Sequence, residues 1–168
     1  MKKMLLLSFA LLATTFIFAQ NAPKAQASPA AKAEGKIGDS DITIGYNQPA
    51  VKGRKIWGSL VPFGEVWRTG ANGATTITLS KDLTIDGKTL PAGRYGLFTI
   101  PTETEWTVIF NSNADQWGAY DYSNKKDVLR VKAQSAKSET FNERMTFAVK
   151  DNNIVLMWEN LVVTLEVK

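Results

Sequence analysis

From Ile37 onward, apolar and polar residues alternate with a period of two, the spacing of half-buried strands, rather than the 3.6 of helices. Ile42 and Ile44 alternate with polar neighbours, and Ile77 and Leu79 alternate with Thr76, Thr78 and Ser80. Leu83-Thr-Ile85 and Lys88-Thr-Leu90 flank Asp86-Gly87. Such a dipeptide between extended runs predicts a hairpin, because a type I′ turn needs positive φ at both central residues. Residues 93–100 and 106–111 predict two further strands, with the connection at 101–105. Leu129, Val131 and Ala133 alternate with Arg130, Lys132 and Gln134. Near the C-terminus, Met145, Phe147 and Val149 precede a turn expected at Asn152-Asn153. Ile154, Leu156 and Trp158 precede another at Glu159-Asn160, and Leu161, Val163, Leu165 and Val167 complete an expected three-stranded meander. No apolar stripe holds helical spacing over three turns. About nine or ten short antiparallel strands point to an all-β domain, a β-sandwich or jelly roll.

Two stretches break the alternation. Residues 47–74 hold five glycines, two prolines and two tryptophans in 28 residues. A loop of that length inside a compact domain is uncommon and often functional. Residues 111–127 are polar but carry Trp117, Tyr120 and Tyr122.

The N-terminal part has a different character. Lys2 and Lys3 precede an apolar run from Met4 to Phe18, and the small residue Ala19 follows, the layout of a signal peptide over residues 1–19. The run is shorter than the roughly 20 apolar residues of a membrane span, so no permanent span is expected. Residues 20–36 are Ala, Lys, Pro and Gln with no large apolar side chain until Ile37, which predicts a mobile tether. The expected organisation is export to the periplasm or beyond, a tether, and one domain over residues 37–168.

Charge and composition narrow the function. Of 20 basic and 16 acidic residues, five basic and one acidic precede Ile37, which leaves fifteen of each in the domain. A basic face for nucleic acid would place the excess inside the domain, so no nucleic-acid partner is expected. The chain has no cysteine and no histidine. That excludes disulfides, thiolate or imidazole metal sites, cysteine nucleophiles and Ser-His-Asp arrangements, and no metal or cofactor is expected.

Several segments resemble one family. They are Val51-Lys-Gly-Arg54 with Ile56-Trp-Gly58, Leu60-Val-Pro-Phe-Gly64, Val66-Trp-Arg-Thr-Gly-Ala-Asn72, Leu90-Pro-Ala-Gly93 with Tyr95, Leu97 and Phe98, and Trp117-Gly118 with Tyr120. Over residues 37–168 the chain resembles the domain of unknown function 2911, a family of secreted bacterial proteins. The resemblance implies an exported β-rich domain and no particular activity. In that family an acidic residue usually follows the asparagine, whereas Gly73 stands here.

The two irregular stretches hold the residues with chemistry to offer. Arg54 and Arg68 share the first. A guanidinium fork can hold an anionic ligand, or it can pair with an acid such as Asp127 or Glu65 and pin the loop. Arg68, between Trp67 and Thr69, is expected to be a structural pin with Trp67 and Asp127, and Arg54 to be exposed and ligand-facing. Trp106 and Trp158, on strands, are expected in the core. Trp117, Tyr120 and Tyr122, with Asn72, Asn111 and Gln116 supplying hydrogen bonds, are the expected ligand-binding group. Asp115, Asp121 and Asp127 offer carboxylates for a hydrolase only if two converge.

Three functions follow from these residues. One is a non-enzymatic exported domain binding a small polar ligand, glycan or partner protein across the two irregular stretches. The second is a carboxylate- or tyrosine-based envelope hydrolase, and the third is a structural envelope protein. A pocket with aromatic walls and an arginine favours the first. Converging carboxylates with raised pKa favour the second, and a flat surface favours the third.

Overall fold

The computed structural model describes residues 26–167. The expected signal peptide and the first part of the expected tether lie outside them. The chain is all-β, with one short 3₁₀ turn at Asn124–Lys126 among the described residues. Its strands are β1 (Ala30–Ile37), β2 (Ser40–Asn47), β3 (Thr75–Leu79), β4 (Leu83–Ile85), β5 (Lys88–Leu90), β6 (Gly93–Ile100), β7 (Glu105–Asn111), β8 (Asp127–Lys150) and β9 (Asn153–Glu166). Seven form one antiparallel sheet in the order β1-β2-β3-β6-β7-β8-β9, and β4-β5 form a separate hairpin. In place of the two facing sheets of a sandwich, the single large sheet curls on itself. The chain just after β2 returns to β8: the Val51 N–H donates to the Glu143 carbonyl at 2.8 Å, and the Met145 N–H to that of Pro49 at 3.0 Å. This contact nearly closes the sheet into a barrel.

The alternation places the core. Ile42, Ile44 and Tyr46 of β2, Ile77 and Leu79 of β3, Tyr95 and Leu97 of β6, and Trp106, Val108 and Phe110 of β7 all face one buried cluster. Burying a side chain of this size stabilises by about 1.5–3 kcal/mol each. Four indoles meet at its edge, Trp106 and Trp158 within the cluster and Trp57 and Trp67 packed against it. The Trp57 ring lies edge-on to Trp67, Trp106 and Trp158, with centroids 5.2–6.0 Å apart, and Trp67 stacks on Trp158 at 5.9 Å. Edge-to-face aromatic pairs add about 0.5–1.5 kcal/mol beyond burial. Trp106 and Trp158 are fully buried, as their strand positions predict. The void left between the strands, lined by Thr69, Leu97, Trp106, Phe147 and Leu156 among others, measures about 30 Å³. That is room for a water or two, so the barrel interior is a packed core rather than a ligand chamber.

Three expectations need correction. Residues 30–36, expected as part of a tether, form β1, paired with β2 residue for residue from Ala30↔Asn47 to Ile37↔Ser40. At Gly35 the strand has no room for a side chain. A side-chain carbon on Gly35 would lie 2.6 Å from Cβ of Val149 on β8. Small residues let β1 come down on β8, and the backbone ladder holds it there. Second, Glu159-Asn160 is no turn: β9 runs through it, with Glu159 at φ 55° opposite Asn142. The β8-β9 register shifts there, as at a bulge. That lets the buried side switch from Ile154, Leu156 and Trp158 to Val163 and Leu165 without breaking the strand. Third, the preceding turn has its positive φ at Asp151 and Asn152, one residue earlier than expected. The Asp86-Gly87 hairpin is found as read, with φ of 51° and 70°.

Candidate functional site

The two irregular stretches meet. The Ala74 N–H donates to the Gln116 carbonyl at 3.0 Å, and the Gly118 N–H to the Asn72 carbonyl at 3.1 Å. Together with the Gly73–Trp117 bridge this makes a short antiparallel clasp on the barrel. The segment Trp67-Arg-Thr-Gly-Ala-Asn72 builds one side of it. Trp67 is anchored by paired backbone hydrogen bonds with Thr99 at 2.7 and 2.9 Å, and its indole N–H donates to the Gly70 carbonyl. Thr69 follows, fully buried with φ 54°. Left-handed backbone is rare for a β-branched residue and costs on the order of 1–3 kcal/mol, persisting only where surroundings over-determine it. They do so here. The Thr69 hydroxyl pairs with that of Thr99 at 3.1 Å, and the Thr75 hydroxyl donates to the Thr69 carbonyl at 2.8 Å. A side chain on Gly70 would begin 2.9 Å from the same Thr75 hydroxyl.

The other side of the clasp is held by a polar network. Asn111 is fully buried. Its amide donates to the Ser123 carbonyl at 3.0 Å and to Asp127 Oδ1 at 2.7 Å, and its Oδ1 accepts the Asn113 N–H at 3.0 Å. Asp127 also accepts from the Tyr122 hydroxyl at 2.8 Å and from Arg130 Nε at 2.7 Å. Arg130 Nη2 donates to the Tyr122 oxygen at 2.7 Å. The Tyr122 ring packs on Phe98, on the outer face of β6. Burial, and next the hydrogen bond to Asp127, raise the Tyr122 phenol above its ordinary pKa.

On this frame Trp117 and Tyr120 stand out, 65% and 83% exposed. Gly118 lies between them at φ 66°. A side chain there would begin 3.0 Å from the Tyr120 ring and 3.8 Å from Nη1 of Arg68. Beside Trp117 opens a cleft of about 430 Å³, lined by Ser28, Asn47, Asn72, Gly73 and the residues at 26–27. That volume lies in the range of small-molecule sites. The described residues hold four buried polar side-chain atoms without a hydrogen-bond partner, and two of them, Arg68 Nε and Gln116 Oε1, belong to the clasp. The other two are the indole nitrogens of Trp57 and Trp158 in the core.

The expected residues therefore divide. Trp117 and Asn72 line the cleft, and Tyr120 stands exposed against Gly118. Asn111 and Tyr122, expected to face a ligand, instead hold the second stretch together, because their polar groups are spent on Asp127, Ser123 and Arg130. Asp127, expected to pin the first stretch through Arg68, instead ties the second stretch together through Asn111, Tyr122 and Arg130. Neither arginine has the partners expected of it. Arg54, though exposed, closes its own turn by donating to the Val51 carbonyl at 3.1 Å and to that of Ala50. Arg68 is half-buried and forms no ion pair with Asp127, Glu65 or any other acid among the described residues. Two residues of the site carried no signal beyond the family resemblance: Thr69, whose left-handed φ no pattern announces, and Gly118, where a side chain would crowd the Tyr120 ring.

The carboxylates do not converge. Asp115 is exposed and forms a two-pronged pair with Arg94 at 2.7 and 2.8 Å. That hydrogen bond holds its carboxyl below the usual range, the wrong direction for a general acid. Asp127 is filled by donors, and Asp121 is exposed. No cluster of three acidic residues suited to a metal occurs among the described residues. No described helix is long and apolar enough to cross a membrane.

Compared with known families, residues 28–167 match the model of a family described as a protein of unknown function (DUF2911). No curated protein and no solved structure matches the chain.

Proposed function

We propose, from the premise that this chain belongs to the DUF2911 family of proteins of unknown function, that it is a non-enzymatic binding domain. Its ligand is a glycan, received on the exposed side of the clasp. The observation that carries this reading is the pair Trp117 and Tyr120, two large rings left in solvent, with the backbone hydrogen-bonded on both sides of Trp117 and the Tyr120 ring against Gly118. Aromatic side chains of this size are normally buried. Held rigidly in the open, they offer flat apolar faces to a sugar ring at little entropic cost on binding. The amides of Asn47 and Asn72, on the wall of the adjoining cleft, supply hydrogen bonds for hydroxyl groups. Hydrolysis has less support, since the carboxylates are exposed, paired or saturated. Export belongs to the same proposal, supported by the charged start and apolar run of residues 1–19.

The test is retention on an array of immobilised neutral and acidic oligosaccharides. The wild-type protein is expected to bind a subset. The Trp117→Ala/Tyr120→Ala variant should bind that subset at least about tenfold more weakly, a loss of about 1.4 kcal/mol, with its thermal midpoint unchanged. Binding by the variant as strong as wild type, or no retention of the wild type, overturns the reading.

A further inference from the structure

The chain has five arginines, all among the described residues. Four have acceptors. Arg54 donates to the Val51 carbonyl, Arg94 to Asp115, Arg130 to Asp127 and Arg144 to the Gln48 carbonyl. Arg68 alone has none among the described residues, and its Nε is buried without a partner. Buried polar groups in folded proteins are almost always satisfied, and a buried charged donor left bare is costly. Where a chain carries such a local cost without internal compensation, the site is expected to be functional.

The surroundings of Arg68 point the same way. Thr69, next in sequence, holds a left-handed backbone that three hydroxyl groups keep in place. The guanidinium is thus delivered by a strained and over-determined segment, the kind of backbone that clusters at ligand sites. Its Nη1 reaches the side of Gly118, where the lack of a side chain lets the Tyr120 ring and the guanidinium draw up to the same spot. A planar cation with free donors, beside the exposed Tyr120 ring and on the clasp that carries Trp117, fits a sugar ring whose substituent is an oxyanion. A guanidinium fork matches the geometry of a carboxylate with two parallel N–H···O bonds.

We infer that the glycan recognised at the clasp is acidic, with a ring carboxylate received by Arg68 while the sugar face rests on Trp117 and Tyr120. This rests on the binding reading above and adds the ligand's charge and the residue that selects it. Arg68 is then the specificity-determining residue. Trp117 and Tyr120 supply affinity for neutral and acidic sugars alike, and the guanidinium distinguishes them.

A matched pair of ligands tests this in the full chain without any substitution. Methyl β-glucuronide and methyl β-glucoside differ only in a carboxylate against a hydroxymethyl group. Binding is followed by NMR titration of the Trp117 indole N–H and the Arg68 Nε–H signals. The glucuronide is expected to bind at least about tenfold more tightly than the glucoside and than acetate, and to move both signals. Arg68→Gln should bring the glucuronide down to the glucoside's affinity while the Trp117 signal still responds to both sugars. Equal binding of the two sugars by the wild type overturns the acidic preference and leaves the aromatic surface standing. Acetate binding as tightly as the glucuronide reduces the site to a simple anion site and also overturns it. Failure of both sugars to move the Trp117 signal sinks the binding reading itself.

Discussion

Asp127 shows how a single side chain shapes the surface at the clasp. Its carboxylate, 9% exposed, accepts from Asn111, Tyr122 and Arg130. These contacts hold down both ends of the stretch that carries Trp117 and Tyr120. Removing the carboxylate leaves the fully buried Asn111 amide one acceptor short and strips the Tyr122 hydroxyl of its acceptor. Arg130 is about two-fifths exposed and can turn to water. The half-buried Tyr122 hydroxyl can do so in part, the Asn111 amide cannot, and a stranded buried donor costs about 1–3 kcal/mol. Asp127→Ala is therefore expected to lose about 2–3 kcal/mol in urea unfolding, and with it any binding at the clasp. A loss under about 0.5 kcal/mol, the range of ordinary surface changes, would show that the network is ornamental. Asp115→Ala, which breaks an exposed ion pair, should stay close to wild type by the same measurement. The contrast separates two aspartates twelve residues apart that look equivalent in the sequence. Both lie in a polar stretch beside aromatic residues, and only the fold shows that one points inward. The same limit applies to the arginines. Whether a guanidinium meets an acid depends on which loops touch, and the clasp between residues 72–74 and 116–118 is a long-range contact that no local pattern encodes.

At the level of strands, the period-two pattern located β2, β3, β6 and β7, and the Asp86-Gly87 signal located the β4-β5 hairpin. These elements were legible because each puts large apolar residues on one side and is bounded by turn chemistry. Two features were not legible. The length of β8 and β9 was hidden because bulges shift the alternation, so that one continuous strand looks like two with a turn between them. β1 was hidden because its inward positions are alanine and glycine, which in composition resemble a linker. The close approach of Gly35 to Val149 explains why such residues are needed. A chain beginning at Gly38 would lack the strand, bare the edge of β2 and open the seam on β8. Compared with a chain beginning at Ala27, it is expected to lose well over about 1 kcal/mol, seen as a thermal midpoint more than about 4 °C lower. It should also associate through the exposed edge in light scattering. Equal midpoints for the two chains would mean that β1 only rests on the barrel.

The described residues form a nearly closed barrel whose interior is filled by indoles and aliphatic side chains, and among them Trp117 and Tyr120 are, with Phe63 and Phe141, the large rings left in solvent. On the proposed reading stability and recognition fall to different surfaces, and their dependence on pH should differ as well. With no histidine in the chain, no side chain with an ordinary pKa near 6.5 titrates in the middle of the pH range. The shifted groups lie at the extremes. The Asp115 carboxyl is held low by its hydrogen bond to Arg94, so what it contributes is present above the ordinary aspartate pKa and is lost as pH falls through the lower folded value. The phenols of Tyr95 and Tyr122 are raised, first by burial and then by Asp82 and Asp127 respectively. Their contribution is complete below about pH 10, the ordinary tyrosine pKa. It declines as pH rises from there through the folded values, because the unfolded chain ionises first. For Tyr122 the reason is visible in the network: a tyrosinate there would face the Asp127 carboxylate it now donates to, and Arg130 offsets only part of that repulsion. The thermal midpoint is therefore expected to stay within about 2 °C between pH 5.5 and 8.5 and to fall above pH 10. Tyr122→Phe, which has no proton to lose, should show a shallower alkaline fall and the same acid limb, while Asp115→Asn should alter the acid limb alone. An alkaline fall equally steep in Tyr122→Phe would mean that the phenol ionises in the folded protein as readily as in the unfolded chain, and that the Asp127 network does not hold it neutral.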